Sequence, residues 1–121
     1  MVKLEKHILK EIKDYLGYTG WRVIRQHQSL GSEKGISDLI AIKDIITLFI
    51  EIKTEKGRLS KYQEAFKKSV EEKGFLYITA RQYEDVEIVI KNLQIIIPDK
   101  LGQVSLTIQP IKGMKYALLD F

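Results

Sequence analysis

Cysteine is absent from the 121-residue sequence, and its absence excludes several kinds of site. A chain without cysteine has no disulfide framework, no thiol nucleophile, and no cysteine-ligated zinc or iron–sulfur centre. The absence of cysteine also fits a reducing compartment, where disulfide bonds are rare. Any catalytic chemistry must therefore come from oxygen, nitrogen or a bound cofactor.

Long apolar runs are also missing. No stretch approaches the roughly 20 consecutive apolar residues that a membrane span requires. The N-terminal segment MVKLEKHILKEIK interrupts its apolar residues with charge every two or three positions, which is not the pattern of a signal peptide. We therefore expect no membrane association and a cytoplasmic location, whether the gene is cellular or is carried by a virus or mobile element.

The composition is that of one small, slightly basic domain. The sequence is 45% hydrophobic and 30% charged, with a net charge of +4 and an isoelectric point of about 9.2. The length predicts a single domain over residues 1–121, with its core over about residues 3–97 and a β-rich extension over 98–121. A small basic excess slightly favours a polyanionic partner such as nucleic acid.

The spacing of apolar residues predicts a mixed α/β fold. Apolar residues at every fourth position predict a helix over residues 3–16, and similar patterns predict helices over 60–73 and 83–93. Strands are predicted over residues 21–27, 38–42, 46–54, 75–79, 104–109 and 115–120, the last two as a terminal hairpin. The order α-β-β-β-α-β-α with a β-rich tail predicts a mixed sheet flanked by helices on both faces.

One carboxylate lies where the pattern predicts burial. Residues 48–53, LFIEIK, are apolar on both faces up to Glu51, which indicates a central strand covered on both sides. A carboxylate in that position needs partners, because desolvating an unpaired carboxylate costs several kcal/mol. Glu51 is therefore the residue from which a candidate site is built.

The register of the preceding hairpin decides what faces Glu51. If the chain reverses between Asp44 and Ile45, Asp38 lies directly across from Glu51, with the two Cβ atoms about 5 Å apart. A slip of one residue would turn Glu51 to the opposite face. Two like charges at that separation repel each other unless a cation lies between them. Lys53 shares the face of Glu51, because side chains alternate along a strand.

Two carboxylates and an ammonium on one surface suit phosphodiester hydrolysis. Asp38, Glu51, a main-chain carbonyl and waters make an oxygen-only site for Mg²⁺ or Mn²⁺. Such a metal polarises the phosphate and activates a bound water, while Lys53 stabilises the developing charge or orients the water. The alternative is that Asp38 only begins a strand, and that Glu51 and Lys53 pair with each other on a solvated face.

These residues resemble the PD-(D/E)xK nuclease superfamily, and more narrowly its VRR-NUC branch, as a Holliday-junction-resolvase-like single-domain nuclease. Residues 35–40, GISDLI, resemble the Gly-x-x-Asp-Leu segment of that branch. Residues 50–63, IEIKTEKGRLSKYQ, resemble its Glu-x-Lys strand, glycine turn and Ser-x-x-Gln helix start, and residues 74–77 resemble its next strand. The match covers roughly residues 5–80.

The resemblance implies a restriction-endonuclease-like fold, a divalent metal, and cleavage of DNA, often at branches or flaps. By position, it makes Asp38 and Glu51 metal ligands, with the main-chain carbonyl of Ile52 as a further ligand. Lys53 corresponds to the catalytic lysine, and Gln63 to a helix glutamine beside the site.

Two assignments implied by the resemblance stay open at this point. The family pattern includes a glutamate on the N-terminal helix, and Glu5 fits its spacing better than Glu11, although both also fit an exposed helix face. Gln63 follows Ser60 at the spacing of a capping box. That structural role competes with the site role for the same side chain.

Several basic residues surround the loop after the Glu-x-Lys strand. Lys56, Arg58 and Lys61 are candidate DNA-phosphate contacts, although a lysine-rich loop is also compatible with simple solvation. His7 and His27 are weaker candidates for a general base, because one lies in a polar helix and the other beside a loop.

The function predicted first is a metal-dependent DNA endonuclease acting on branched or otherwise structured DNA. The alternatives are a catalytically inactive DNA-binding module on a nuclease fold, and an α/β partner-binding domain in which the motif arose by chance. A homodimer is also predicted, because one metal site supplies one strand break and two-fold symmetry supplies two. Apolar positions within residues 93–97 and 104–119 are its candidate interface; alternatively, these strands complete the sheet of the monomer.

Overall fold

The computed structural model describes residues 3–27, 33–96 and 105–108. Its helices are α1 (Glu5–Tyr18), α2 (Lys61–Glu72) and α3 (Tyr83–Lys91). Its strands are β1 (Arg22–Arg25), β2 (Leu39–Lys43), β3 (Ile46–Ile52), β4 (Leu76–Ala80), β5 (Leu93–Ile96) and β6 (Ser105–Ile108). The order of the elements from α1 to α3 is the predicted α-β-β-β-α-β-α, which confirms the fold class.

The main sheet is mixed and has β3 in its interior. Its strand order is β1-β2-β3-β4, with antiparallel pairs up to β3 and a parallel β3–β4 pair. Leu39 lies opposite Ile50 and Lys43 opposite Ile46, so the chain reverses at the position required to place Asp38 across from Glu51. Asp44, with φ of 53°, makes the reversal in a left-handed conformation that aspartate tolerates better than most residues.

Alternation along β3 assigns its two faces. Leu48, Ile50 and Ile52 are buried in one core cluster with apolar residues of α1 and α3. Phe49 points to the other side, where its ring packs edge-on against Phe66 of α2 with ring centroids 5.5 Å apart. Glu51 is two residues after Phe49, so its side chain lies on the same face of the sheet, the face that α2 covers.

Helix ends differ slightly from the predictions. Gly17 does not end α1, which runs on to Tyr18 and closes where the Thr19 hydroxyl donates to the carbonyl of Tyr15 at 2.9 Å. The third helix ends at Lys91 rather than at residue 93. Asn92 follows it, with its side-chain amide donating to the carbonyl of Ile88 at 2.7 Å.

The C-terminal part forms a second, two-stranded sheet in the described residues. Leu93, predicted as the last residue of a helix, instead begins β5, which pairs antiparallel with β6. The predicted strand over residues 104–109 is therefore present as β6, and its described partner is β5. Its predicted hairpin partner, residues 115–120, lies outside the described residues. No helix in the described part of the chain is long and apolar enough to cross a membrane.

Candidate active site

Asp38 is fixed at the junction of three strands. It immediately precedes β2, and its carbonyl accepts a hydrogen bond from the Gln26 amide at 2.8 Å, which extends the pairing with β1. Its carboxylate Oδ2 accepts from the amide of Ile52 at 2.8 Å, which ties it to the end of β3. The preceding Ser37 is fully buried and donates its hydroxyl to the carbonyl of Leu39 at 3.0 Å. The serine thus fixes the backbone on which the aspartate is carried.

Glu51 is the buried carboxylate of the site. It is only 3% exposed although it is charged. Its Oε2 accepts a hydrogen bond from Gln63 Nε2 at 3.0 Å and lies 3.5 Å from Lys53 Nζ. Its Oε1 is also buried and has no hydrogen-bond partner within the described part of the protein. Burying a carboxylate oxygen without a partner costs several kcal/mol, and a bound cation would be such a partner.

The electrostatics of the site favour a cation beside the two carboxylates. Burial of the side chain raises the pKa of the Glu51 carboxyl from 4.5 to about 7, and the nearby charge of Asp38 adds to this rise. Lys53 acts in the opposite direction but does not offset the other two effects. The donor set, carboxylate oxygens with an orphaned Oε1 among them, is the type that Mg²⁺ and Mn²⁺ prefer.

Gln63 makes both of the contacts that the sequence placed in competition. Its side-chain Oε1 accepts a hydrogen bond from the backbone amide of Ser60 at 2.8 Å. The Ser60 hydroxyl accepts one from the backbone amide of Gln63 at 3.2 Å, which completes a capping box at the start of α2. Its Nε2 remains available and donates to Glu51. The two contacts are compatible because a side-chain amide has a separate acceptor and donor, and the role of Gln63 in catalysis stays a prediction.

The N-terminal glutamates are placed differently from the strand carboxylates. Glu5 is exposed in the first turn of α1, and Glu11 pairs with Lys3 at 2.7 Å between Oε1 and Nζ. Among the residues that the structure describes, no three histidine or acidic side chains come together as a potential metal-binding group. In the described part of the chain, the candidate site is therefore built on Asp38 and Glu51, and the role predicted for Glu5 stays a prediction.

Arg81 organises the loop that follows Lys53, and sequence reasoning missed it. Its Nη1 donates to the carbonyls of Thr54 at 2.7 Å, Gly57 at 2.6 Å and Glu55 at 3.3 Å. Arg81 directly follows β4, which runs parallel to β3, so both strands end at the same edge of the sheet. That adjacency was the available signal, but a sequence does not show which carbonyls a guanidinium will reach.

The predicted phosphate contacts lie in the same loop and at the start of α2. Lys56, Arg58 and Lys61 are all exposed, the first two after β3 and the third at the start of α2. Gly57 lies between the first two, with its carbonyl held by Arg81. Two of the basic side chains thus project from a loop that Arg81 holds, and the third projects from the first turn of α2.

Tyr77 is a second residue that sequence reasoning did not assign to the site. It is buried on β4, and its hydroxyl has no hydrogen-bond partner within the described residues. Burial raises the pKa of the Tyr77 phenol, and the charges of Glu51 and Asp38 raise it further. The phenol therefore stays neutral beside the carboxylates. Its β-strand context looked like ordinary core, so the sequence contained no signal.

The glycine of the GISD segment allows a close approach between two parts of the site. Gly35 has φ of 82°, and a Cβ added there would overlap the carbonyl group of Tyr62 and lie 2.8 Å from the Gln63 nitrogen. The loop before Asp38 can therefore lie directly against the start of α2. Together they border a cleft of about 330 Å³, whose lining residues are Lys34, Gly35, Asp38, Ser60, Tyr62 and Gln63.

Comparisons with known proteins identify a family and a fold. The model of a family described as archaeal Holliday junction resolvase (Hjc) matches residues 5–104. A solved structure described as a VRR_NUC domain is similar with a TM-score of 0.62 and 21% sequence identity, over 72% of this chain and 94% of that one. At that identity the likeness concerns the fold, and it confirms a restriction-endonuclease-like α/β architecture. No curated protein matches the chain.

Proposed function

The chain belongs to the archaeal Holliday junction resolvase family, a family of nucleases that act on DNA, and we propose that it is a Mg²⁺- or Mn²⁺-dependent endonuclease for branched DNA. The observation that supports this most strongly is the buried Glu51, whose Oε1 has no partner among the described residues and whose carboxyl shares its surroundings with Asp38. Lys53 and Gln63 compensate the carboxylate pair only in part, and such a pair is costly to retain in a fold unless it binds a cation.

In this proposal the metal is held by Asp38, Glu51 and the main-chain carbonyl of Ile52. A divalent cation bound there supplies Lewis acidity and lowers the pKa of a coordinated water. The protein orients the two carboxylates with one hydrogen bond each. The Ile52 amide holds Oδ2 of Asp38, and Gln63 holds Oε2 of Glu51. The capping box makes Gln63 part of a rigid helix start, so Glu51 is held from outside its own strand.

Lys53 is proposed as the catalytic lysine. Its ammonium lies 3.5 Å from Glu51 Oε2, and its side chain is only 15% exposed. A charge held in a partly desolvated position interacts strongly with negative charge that develops on a phosphate. The backbone of Lys53 is fixed by its amide, which donates to the carbonyl of Ala80 at 3.0 Å. The lysine therefore approaches the phosphate from a fixed strand end.

The function is tested with a panel of end-labelled DNAs in Mg²⁺: a four-way junction, a flap, a splayed duplex and a continuous duplex. We expect branched substrates to be cut in preference to the continuous duplex. The matched control is Asp38→Asn, which keeps the hydrogen-bond acceptor for the Ile52 amide but removes the charge. Binding of branched DNA without cleavage of any substrate would support the alternative, a catalytically inactive DNA-binding module.

We further propose that Lys56, Arg58 and Lys61 contact DNA phosphates. Each phosphate contact releases condensed counterions, so the logarithm of the binding constant falls linearly with the logarithm of the salt concentration. Replacing all three residues by glutamine is expected to reduce that slope by about 0.9 per lost contact, or roughly 3 for the triple variant. Fluorescence anisotropy titrations in Ca²⁺ at several salt concentrations measure it.

The control is a triple variant at exposed lysines of α1, Lys6→Gln, Lys10→Gln and Lys13→Gln, which changes the net charge equally. Helix α1 packs on the side of the sheet that faces away from α2. The control is expected to retain most of the slope. Equal slopes for the loop triple and the wild type would place the DNA-binding surface elsewhere.

A homodimer is proposed as the active form. Strands β5 and β6 form a separate two-stranded sheet in the described residues, and such a sheet has edges at which a second copy can pair. The expected light-scattering mass at micromolar concentration is twice the chain mass of 14.0 kDa. A mass of one chain, with cleavage activity linear in protein concentration down to nanomolar, would contradict the dimer.

A further inference from the structure

An exposed aromatic ring lies at the edge of the cleft that contains Asp38. Tyr62 is the second residue of α2, and 53% of its surface is exposed. The ammonium of Lys34 lies over this ring, 5.0 Å from the ring centroid. Both side chains line the same cleft as Asp38 and Gln63. A flat apolar face and a cation are thus held together next to the candidate metal site.

The backbone that carries the ring is fixed from two sides. The capping box between Ser60 and Gln63 sets the first turn of α2, in which Tyr62 lies. Gly35 packs so closely on the carbonyl of Tyr62 that no Cβ fits between the two segments. Tyr62 immediately precedes Gln63, whose amide reaches Glu51. A group stacked on the ring would therefore lie in the cleft that Asp38 also lines.

We propose that Tyr62 and Lys34 form a subsite for one unpaired nucleotide beside the scissile phosphate, an inference that rests on the proposed nuclease function. The base stacks on the exposed face of Tyr62, and the ammonium of Lys34 contacts a phosphate of the same strand. Stacking on an aromatic side chain tolerates any base sequence, because every base has a π face.

Such a subsite selects DNA structure rather than sequence. In a continuous duplex each base is already stacked between its neighbours and is not available to an external ring. Flaps and splayed ends carry unpaired bases, and a base pair at a branch point lacks a stacked neighbour on one side, so a base there unpairs at lower cost and stacks on Tyr62. The subsite would thus let this domain discriminate branched DNA from a continuous duplex through one exposed ring.

The test is a binding cycle between protein variants and abasic DNA. A four-way junction carries a single abasic nucleotide that is moved, one position at a time, through the strand around the branch. Affinities are measured by anisotropy in Ca²⁺ for wild-type protein, Tyr62→Leu, Tyr62→Phe and Lys34→Gln. Cleavage of the intact junction by the wild-type protein in Mg²⁺ is measured in parallel.

For the wild type, an abasic nucleotide at one position is expected to weaken binding by about 10-fold, within the range of base–aromatic stacking. Tyr62→Leu should weaken binding of the intact junction by a similar factor and remove the response to the abasic position. Tyr62→Phe, which keeps the ring, should retain that response. Lys34→Gln should retain it as well but lower the salt slope by about one contact.

An abasic profile that is the same for Tyr62→Leu as for the wild type would overturn the subsite, as would a flat profile for the wild type. If the wild-type protein cleaves the junction in Mg²⁺ while these results hold, the nuclease function stands and only the subsite fails. If it shows the Tyr62-dependent profile but cleaves nothing, the subsite stands and the catalytic proposal fails. A protein that binds no branched DNA would overturn both.

Discussion

Glu51→Gln is expected to lower the single-turnover rate of junction cleavage in saturating Mg²⁺ by about a thousand-fold or more, because it removes charge from a metal ligand at the reacting centre. Asp38→Asn should have an effect of the same size. Both variants are close in shape to the original side chains, so the Ile52 amide and the Gln63 amide keep oxygen acceptors. The rate is measured with enzyme in excess over labelled DNA.

Glu51→Gln should also stabilise the metal-free protein above neutral pH. Burial, with a further contribution from Asp38, raises the pKa of Glu51 from 4.5 to about 7 in the folded protein. The folded state therefore holds the proton more tightly than the unfolded state. This cost to stability is absent below pH 4.5, grows between pH 4.5 and 7, and is complete above pH 7 at roughly 3 kcal/mol. Glu51→Gln removes it.

Urea unfolding in EDTA at pH 5 and pH 8 measures this difference. The wild type is expected to lose stability between the two pH values relative to Glu51→Gln. A matched control is Glu64→Gln, an exposed carboxylate on α2 whose loss should change neither cleavage nor this pH dependence. Unfolding of Glu51→Gln in metal-free buffer would mean that the carboxylate has a structural role. Normal cleavage by this variant would mean that the metal site is wrongly assigned.

Lys53→Met is expected to reduce cleavage by about a hundred-fold to a thousand-fold while metal binding is retained, because the ammonium stabilises charge that develops only during the reaction. Methionine has a similar length and shape but no charge. Removing a positive charge 3.5 Å from Glu51 Oε2 also lowers the repulsion that an incoming cation meets. The affinity for Mg²⁺ should therefore stay the same or increase.

Isothermal titration calorimetry with Mg²⁺ and single-turnover cleavage separate the two effects. The control, Lys68→Met, removes an exposed lysine from α2 and should leave both measurements unchanged. Loss of metal binding in Lys53→Met would mean that the lysine supports the structure of the site rather than the reaction. Unchanged cleavage would contradict its proposed catalytic role.

The sequence predicts the part of the site that depends on strand periodicity. The apolar run before Glu51 is sufficient to identify an interior strand, and a reversal at Asp44 and Ile45 is sufficient to place Asp38 opposite it. The interior strand and the position of Asp38 both follow from the alternation of side chains along a strand, which is visible in the sequence. The structure confirms this register, and the contact of Asp38 with the end of β3 agrees with it.

Contacts that depend on three-dimensional distance could not be predicted in the same way. Arg81 lies 24 residues or more from the carbonyls that it holds, and nothing in its local sequence distinguishes it from a solvated arginine. Tyr62 looks like an ordinary helix residue until Gly35 and Lys34 are found beside it. Leu93 was assigned to a helix because apolar residues near a helix end fit both periodicities, and only pairing with β6 decides between them.

The most direct test of the central claim, that Asp38 and Glu51 form a metal-dependent phosphodiesterase site, is single-turnover cleavage of one labelled four-way junction in different metals. We expect cleavage by the wild-type protein in Mg²⁺ or Mn²⁺, binding without cleavage in Ca²⁺, and no cleavage in EDTA. Calcium accepts the same oxygen ligands but is a poorer Lewis acid. Robust cleavage in excess EDTA, or cleavage by Asp38→Asn at the wild-type rate in Mg²⁺, would contradict the claim.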